Sequence, residues 1–187
     1  MTIFAPITVP KPRSSTPETD LTAVAPLMSD YLTDGVHQDR FSLTSISLTP
    51  TAVRGMLRLD SFGVSPEDVG GFHLTAPTCF RMAGQLVVIH THWLAGLEQK
   101  SFEVWVRDHS MRHQRPVRDP HAVDLTMTLV AARLAHRHPG LVRVDYEAAI
   151  GDGDVVGRTT SYVDLTPDPQ ALRQVRATLE AAGTWSD

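Results

Sequence analysis

Gly70-Gly71-Phe72-His73 is followed directly by a run that opens Leu74-Thr75-Ala76-Pro77-Thr78 and keeps helical apolar spacing as far as Gly96. A glycine turn that delivers a histidine to the start of a long buried helix is one way to build a site for an acyl thioester. Backbone N–H groups in the first turn of a helix have no intrahelical partner and can polarise a carbonyl. Here those donors belong to the Pro77 region, Thr78 and Cys79. A histidine beside them can move a proton near neutral pH. The competing reading is that His73 only hydrogen-bonds its own loop. The run holds no Asp or Glu between Gly71 and Leu97, so the helix itself offers no carboxylate base or nucleophile.

Arginine supplies nearly all the positive charge, because lysine occurs only at Lys11 and Lys100. Arg107, Arg112, Arg115 and Arg118 are candidates for the phosphates of a carrier or for a small carboxylate. A solvated edge accounts equally well for Arg115 and Arg118. Arg81 lies one turn into the apolar helix, so it needs a partner or a cavity. It is read as a carboxylate binder or as half of a structural ion pair. His90 and His92 are two apart on a helix and do not share a face. His90 reads as a satisfied core histidine and His92 as a groove or interface residue. His136 and His138 read as a solvated turn. No spacing suits a metal, and Cys79 reads as a small buried apolar residue.

The elements that must position these residues follow from pattern. The 187-residue chain is one domain's length, with 42% hydrophobic and 20% charged residues, as in ordinary globular proteins. A net charge of −4 with scattered arginines argues against a nucleic-acid partner. A lone cysteine excludes a disulfide framework and fits a reducing, cytoplasmic setting. No stretch has the length of a membrane span. Residues 1–20 read as a flexible N-terminal arm and 21–187 as a single domain. Leu21 to Leu32 is a short helical candidate. Phe41 to Leu48 alternates as a strand, Ala52 to Leu59 pairs with it, and Asp60 to Gly71 is loop. Pro77 to Leu97 reads as a helix apolar around most of its circumference and therefore wrapped by other elements. Phe102 to Arg107, Val142 to Ile150 and Val155 to Leu165 read as strands, with a tight turn at Gly151-Asp152-Gly153-Asp154. Val123 to Ala135 fits a strand or a helix. A short amphipathic helix follows Asp168. The class is α+β, an antiparallel sheet curled around one long helix. Its open edges invite pairing with a second copy.

This order resembles the hotdog fold. Gly70-Gly71-Phe72-His73, followed by a helix carrying Cys79-Phe80, is similar to the Gly-His-Phe-Asn and Cys-Phe pair of the type III long-chain fatty acyl-CoA thioesterases of mycobacteria. Val106-Arg107-Asp108-His109-Ser110-Met111-Arg112, with Arg115-Pro116 and Pro120 after it, resembles that family's Ile-Arg-x-x-Ser-x-Arg stretch with its following Lys-Pro and Pro. Tyr31 falls where the family has a functional tyrosine. His73 replaces a functional asparagine, and Ser65 or its neighbour replaces a second functional tyrosine. The family also resembles enzymes that add glycine to an unsaturated acyl thioester, making β-amino acyl units for macrolactams or isonitrile lipopeptides. The resemblance implies a cofactor-free, homodimeric or larger enzyme whose partners are an acyl-carrier-protein or coenzyme A thioester and a small amino acid. Hydrolysis of the thioester, and hydration or dehydration of a 3-hydroxyacyl thioester, are the competing activities. For aza-Michael addition, His73 would be the base, Arg112 or Arg81 would hold the amino-acid carboxylate, and Tyr31 would position a proton or a water. Arg107, His109 and Ser110 would contact substrate.

Overall fold

The computed structural model describes residues 39–63, 71–136 and 138–186. The arm, the helical candidate at Leu21 to Leu32, Tyr31 and Ser65 lie outside the described residues. Six strands form one sheet in the order β1-β2-β4-β5-β6-β3, with every neighbouring pair antiparallel. They are β1 (Arg40–Thr49), β2 (Ala52–Ser61), β3 (Val104–His113), β4 (Val123–Ala135), β5 (His138–Ile150) and β6 (Val155–Asp164). Helix α1 (Ala76–Leu94) lies against one face, and α2 (Pro169–Ala181) packs beside it. This curled sheet with its long helix is the hotdog architecture.

Period-two alternation sets the two faces. Val123, Leu125, Met127 and Leu129 of β4, and Val142, Val144, Tyr146 and Ala148 of β5, are buried against α1. The segment that fitted either a strand or a helix is thus the central strand β4. Its interleaved Thr126 and Thr128 point to the opposite face, which water reaches. On α1, Cys79, Met82, Ala83, Leu86, Val87, His90 and Leu94 form the buried sector, at the spacing expected of a helix lying on a sheet. The sheet covers only that side. Phe80, Arg81, Gln85 and Trp93 remain exposed on the helix's other side. Gly96, at φ +71°, ends α1. Its N–H donates to Trp93 O, and the Leu97 N–H donates to His92 O, a left-handed cap that glycine adopts without steric cost.

The two buried histidines of α1 are matched in this core. His90 is fully buried, with Nε2 2.8 Å from the Thr49 carbonyl and Nδ1 2.8 Å from the Tyr146 hydroxyl. A carbonyl only accepts, so Nε2 carries the proton and Nδ1 accepts from tyrosine. His92 departs from the groove or interface role. Its ring stacks on Phe102 at 3.8 Å, Nδ1 donates to Val88 O, and Nε2 accepts the Ser101 N–H. It pins the end of α1 to the following loop.

Burial pushes the His90 pKa down. Below the ordinary imidazole range the unfolded chain binds a proton that the native state resists, so stability held above about pH 6.5 is lost as pH falls. Tyr146→Phe leaves His90 Nδ1 without its donor and is expected to cost about 1–3 kcal/mol. Chemical denaturation at neutral pH measures that loss. An unchanged midpoint would show that the histidine–tyrosine bond contributes nothing.

Candidate active site

Gly71 takes φ +72°, a left-handed conformation that a side chain would strain. After it, Phe72 and Leu74 insert into the core. Phe72 meets Phe62 edge-on at 4.6 Å, and the Leu74 N–H donates to the Val117 carbonyl at 2.9 Å. His73 lies between these two anchors and is half-buried at the approach to α1.

The first turn of α1 has no acidic residue, and the Thr75 side chain does not cap it. Cys79 N–H is already donated to Thr75 O at 3.0 Å, and Pro77 has no N–H. Among the described residues, the donors left to a ligand at this end are those of Ala76 and Thr78. Burial pushes the Cys79 thiol up to about 12, so it is inert as a nucleophile at neutral pH.

A carboxylate reaches the helix start from outside the helix. Asp39, buried just before β1, accepts a 2.5 Å hydrogen bond at Oδ2 from the Thr78 hydroxyl, which in turn accepts from the Thr75 hydroxyl at 3.0 Å. Arg81 donates from Nη1 to the Asp39 carbonyl oxygen at 2.7 Å, and its guanidinium lies 5.3 Å from the centre of the Phe41 ring. Among the described residues no carboxylate pairs with it. The structural ion pair is therefore not found among the described residues, where Arg81 is anchored by a backbone carbonyl and a ring. It keeps donors available on the exposed side of the helix.

The stretch from Val106 to Arg112 is divided between the two faces of the sheet. A bulge at Arg107 resets the alternation of β3. His109 then shares the helix side with Phe80, ring centres 4.7 Å apart, and its Nδ1 is 2.8 Å from Thr159 Oγ1. Ser110 and Arg112 face the other way. They line an open groove of about 550 Å³ with Thr126, Thr128, Glu147 and Arg158. Arg107 also lies outward, donating to the Tyr162 hydroxyl at 2.8 Å and pairing with Asp108.

One chain therefore gathers His73, Thr78, Arg81 and Asp39 at the start of α1, places His109 further along the same side, and puts Arg107, Ser110 and Arg112 across the sheet. Asp39 escaped sequence reasoning because its contact with Thr78 spans 39 positions and no local pattern marks it. The separation of His109 from Ser110 was readable in principle, since adjacent strand residues point to opposite faces. Among the described residues no cluster of His, Cys, Asp or Glu could hold a metal, and no helix is long and apolar enough to cross a membrane.

No protein-family model and no curated protein matches the chain. Solved structures similar to it include a mutant form of the thioesterase SAV0944 from Staphylococcus aureus, with 13% identity over 66% of this chain and 93% of that one, at a TM-score of 0.45. The thioesterase HI1161 from Haemophilus influenzae has 15% identity over 66% and 77%, at 0.43. AziG of S. sahachiroi has 12% identity over 67% and 90%, at 0.42. At such identities the likeness carries nothing about chemistry.

Proposed function

We propose that this chain acts on acyl thioesters and catalyses aza-Michael addition of glycine, or another small amino acid, to the β-carbon of an α,β-unsaturated fatty acyl-carrier-protein thioester. The observation that carries this reading is the start of α1. Among the described residues it presents N–H donors with no acceptor, a histidine and an arginine without a carboxylate partner, on a helix that bears no acid of its own.

In the proposed reaction, Arg81 holds the amino-acid carboxylate as a charge-assisted pair. The amine nitrogen attacks the β-carbon and the C–N bond forms. The π pair of the double bond moves onto the thioester as an enolate, whose oxygen the Ala76 and Thr78 N–H groups hold. His73 takes a proton from the new ammonium and delivers it to the α-carbon, so the enolate collapses to the saturated thioester and the product is a secondary amine that carries the amino-acid carboxylate. Tyr31 is assigned to positioning a proton or water, and His109 to contact with the acyl chain. Arg107, Ser110 and Arg112, on the far face, are assigned to the carrier and its phosphate. A second copy paired along the edge strand β3 would complete the enclosure.

Asp39 favours a second reading. A buried carboxylate beside uncapped N–H donors can activate a water, which would make the protein a thioesterase. Mass spectrometry of an enoyl thioester incubated with the protein, with and without glycine, separates the two. An adduct heavier by one glycine, formed only when glycine is present, is expected. Free acid released at one rate with or without glycine, from a saturated thioester as well, would establish hydrolysis instead.

A further inference from the structure

Two buried side-chain atoms on the helix side of the sheet, His109 Nε2 and Ser161 Oγ, have no hydrogen-bond partner among the described residues. Ser161 is fully buried. A buried polar atom without a partner costs about 1–3 kcal/mol, and two so close in the fold call for an explanation. Strand register brings them together. His109 of β3 is opposite Thr159 of β6, and Ser161 is the next residue of β6 on that face, opposite Val106. Thr159 holds the Nδ1 edge of His109, which turns Nε2 away from the strand.

The surroundings define what can bind. Val106, Met111, Val144 and Val163 share this face by register. The charged residues of β3 and β6, Arg107, Asp108, Arg112, Arg158 and Asp164, lie on the opposite one. A charged ligand group would be desolvated here without a counter-ion, so the site suits an apolar chain that carries an uncharged oxygen. Phe80 covers it. The Phe80 ring is 40% exposed and touches His109 edge-on, so it can swing outward into solvent without opening the core. Phe80 also comes four residues after the first residue of α1, about 6 Å along the helix axis. The polar pair is thus set back from the N–H donors assigned to the thioester.

We propose that His109 and Ser161 form a gated specificity site. It recognises a hydroxyl or carbonyl oxygen on the acyl chain, beyond the β-carbon, with Phe80 as its cover. This rests on the acyl-thioester reading above and adds the substrate class.

The test uses the full chain and N-acetylcysteamine thioesters. One probe carries a saturated octanoyl chain. A series of hydroxyoctanoyl probes has the hydroxyl moved one carbon at a time. At least one hydroxylated probe is expected to bind roughly ten-fold more tightly than the saturated one, the worth of one or two buried hydrogen bonds. Ser161→Ala and His109→Phe should each shrink that preference, and Ser161→Ala should leave saturated binding unchanged. Without ligand, Ser161→Ala should melt no lower than wild type, because it removes an unpartnered hydroxyl. Phe80→Ala should speed association of both probe classes.

Equal binding of all probes, or a preference that survives both polar substitutions, would overturn the site while leaving the thioester reading intact. A marked loss of stability in Ser161→Ala would show that the hydroxyl is already satisfied, and would overturn it too. Slower association in Phe80→Ala would overturn the gating role. Failure of every probe to bind would sink the acyl-thioester reading itself, and this inference with it.

Discussion

His73→Ala is expected to lower turnover by roughly 10²–10⁴-fold, the usual consequence of losing a general base, while acyl-thioester binding survives. The expectation rests on where the backbone puts the imidazole. Phe72 and Leu74 are driven into the core on either side of it, so the ring is presented at the mouth of α1 by its neighbours. Added imidazole should restore part of the rate in this variant, because a small base can enter the space the side chain leaves. A purely structural histidine would not respond. Loss of thioester binding in parallel with turnover would mean that His73 shapes the pocket instead of moving a proton.

The second large effect separates two arginines. Arg81→Ala should raise the KM for the amino acid roughly ten- to a hundred-fold. Hydrogen bonds to charged groups are worth about 1.5–3 kcal/mol, and each 1.4 kcal/mol is a factor of ten. Arg112→Ala should leave that KM unchanged and weaken the carrier-bound thioester alone, because the sheet stands between Arg112 and the start of α1. Steady-state kinetics with each substrate varied in turn measures both. If Arg112→Ala raises the amino-acid KM and Arg81→Ala does not, the carboxylate lies on the outer face, and Arg81 serves only to hold Asp39 and Phe41.

Most of the architecture was legible because it is written in short-range periodicity. VRVDYEAAI alternates at the strand period, and its inward residues are those the structure buries, whereas FSLTSISL forms β1 as its alternation predicts but leaves Leu43 and Ile46 exposed. The helix was legible from its apolar spacing, and Gly96 marked its end. The reading of His90 as a satisfied core histidine also held, since an imidazole on an apolar helix face needs partners within reach. His92 did not follow this logic. Its burial depends on Phe102 folding back to stack on it, a contact made by the loop after the helix.

The site was less legible, for a physical reason. Periodicity says which residues of one element share a face, and says nothing about which elements meet. The sequence by itself determined the class, the strand and helix segments, and the presence of a histidine and N–H donors at one helix start. Tertiary structure decided that Asp39 joins Thr78 there, that Arg81 is held by a carbonyl and a ring, and that the bulge at Arg107 sends His109 inward and Arg112 outward. It also decided that His109 and Ser161 come to lie one strand step apart across β3 and β6. Each of these depends on strand register or on side-chain geometry across many tens of residues, where the chain's local preferences are silent and only packing of the whole sheet against the helix selects the pairing.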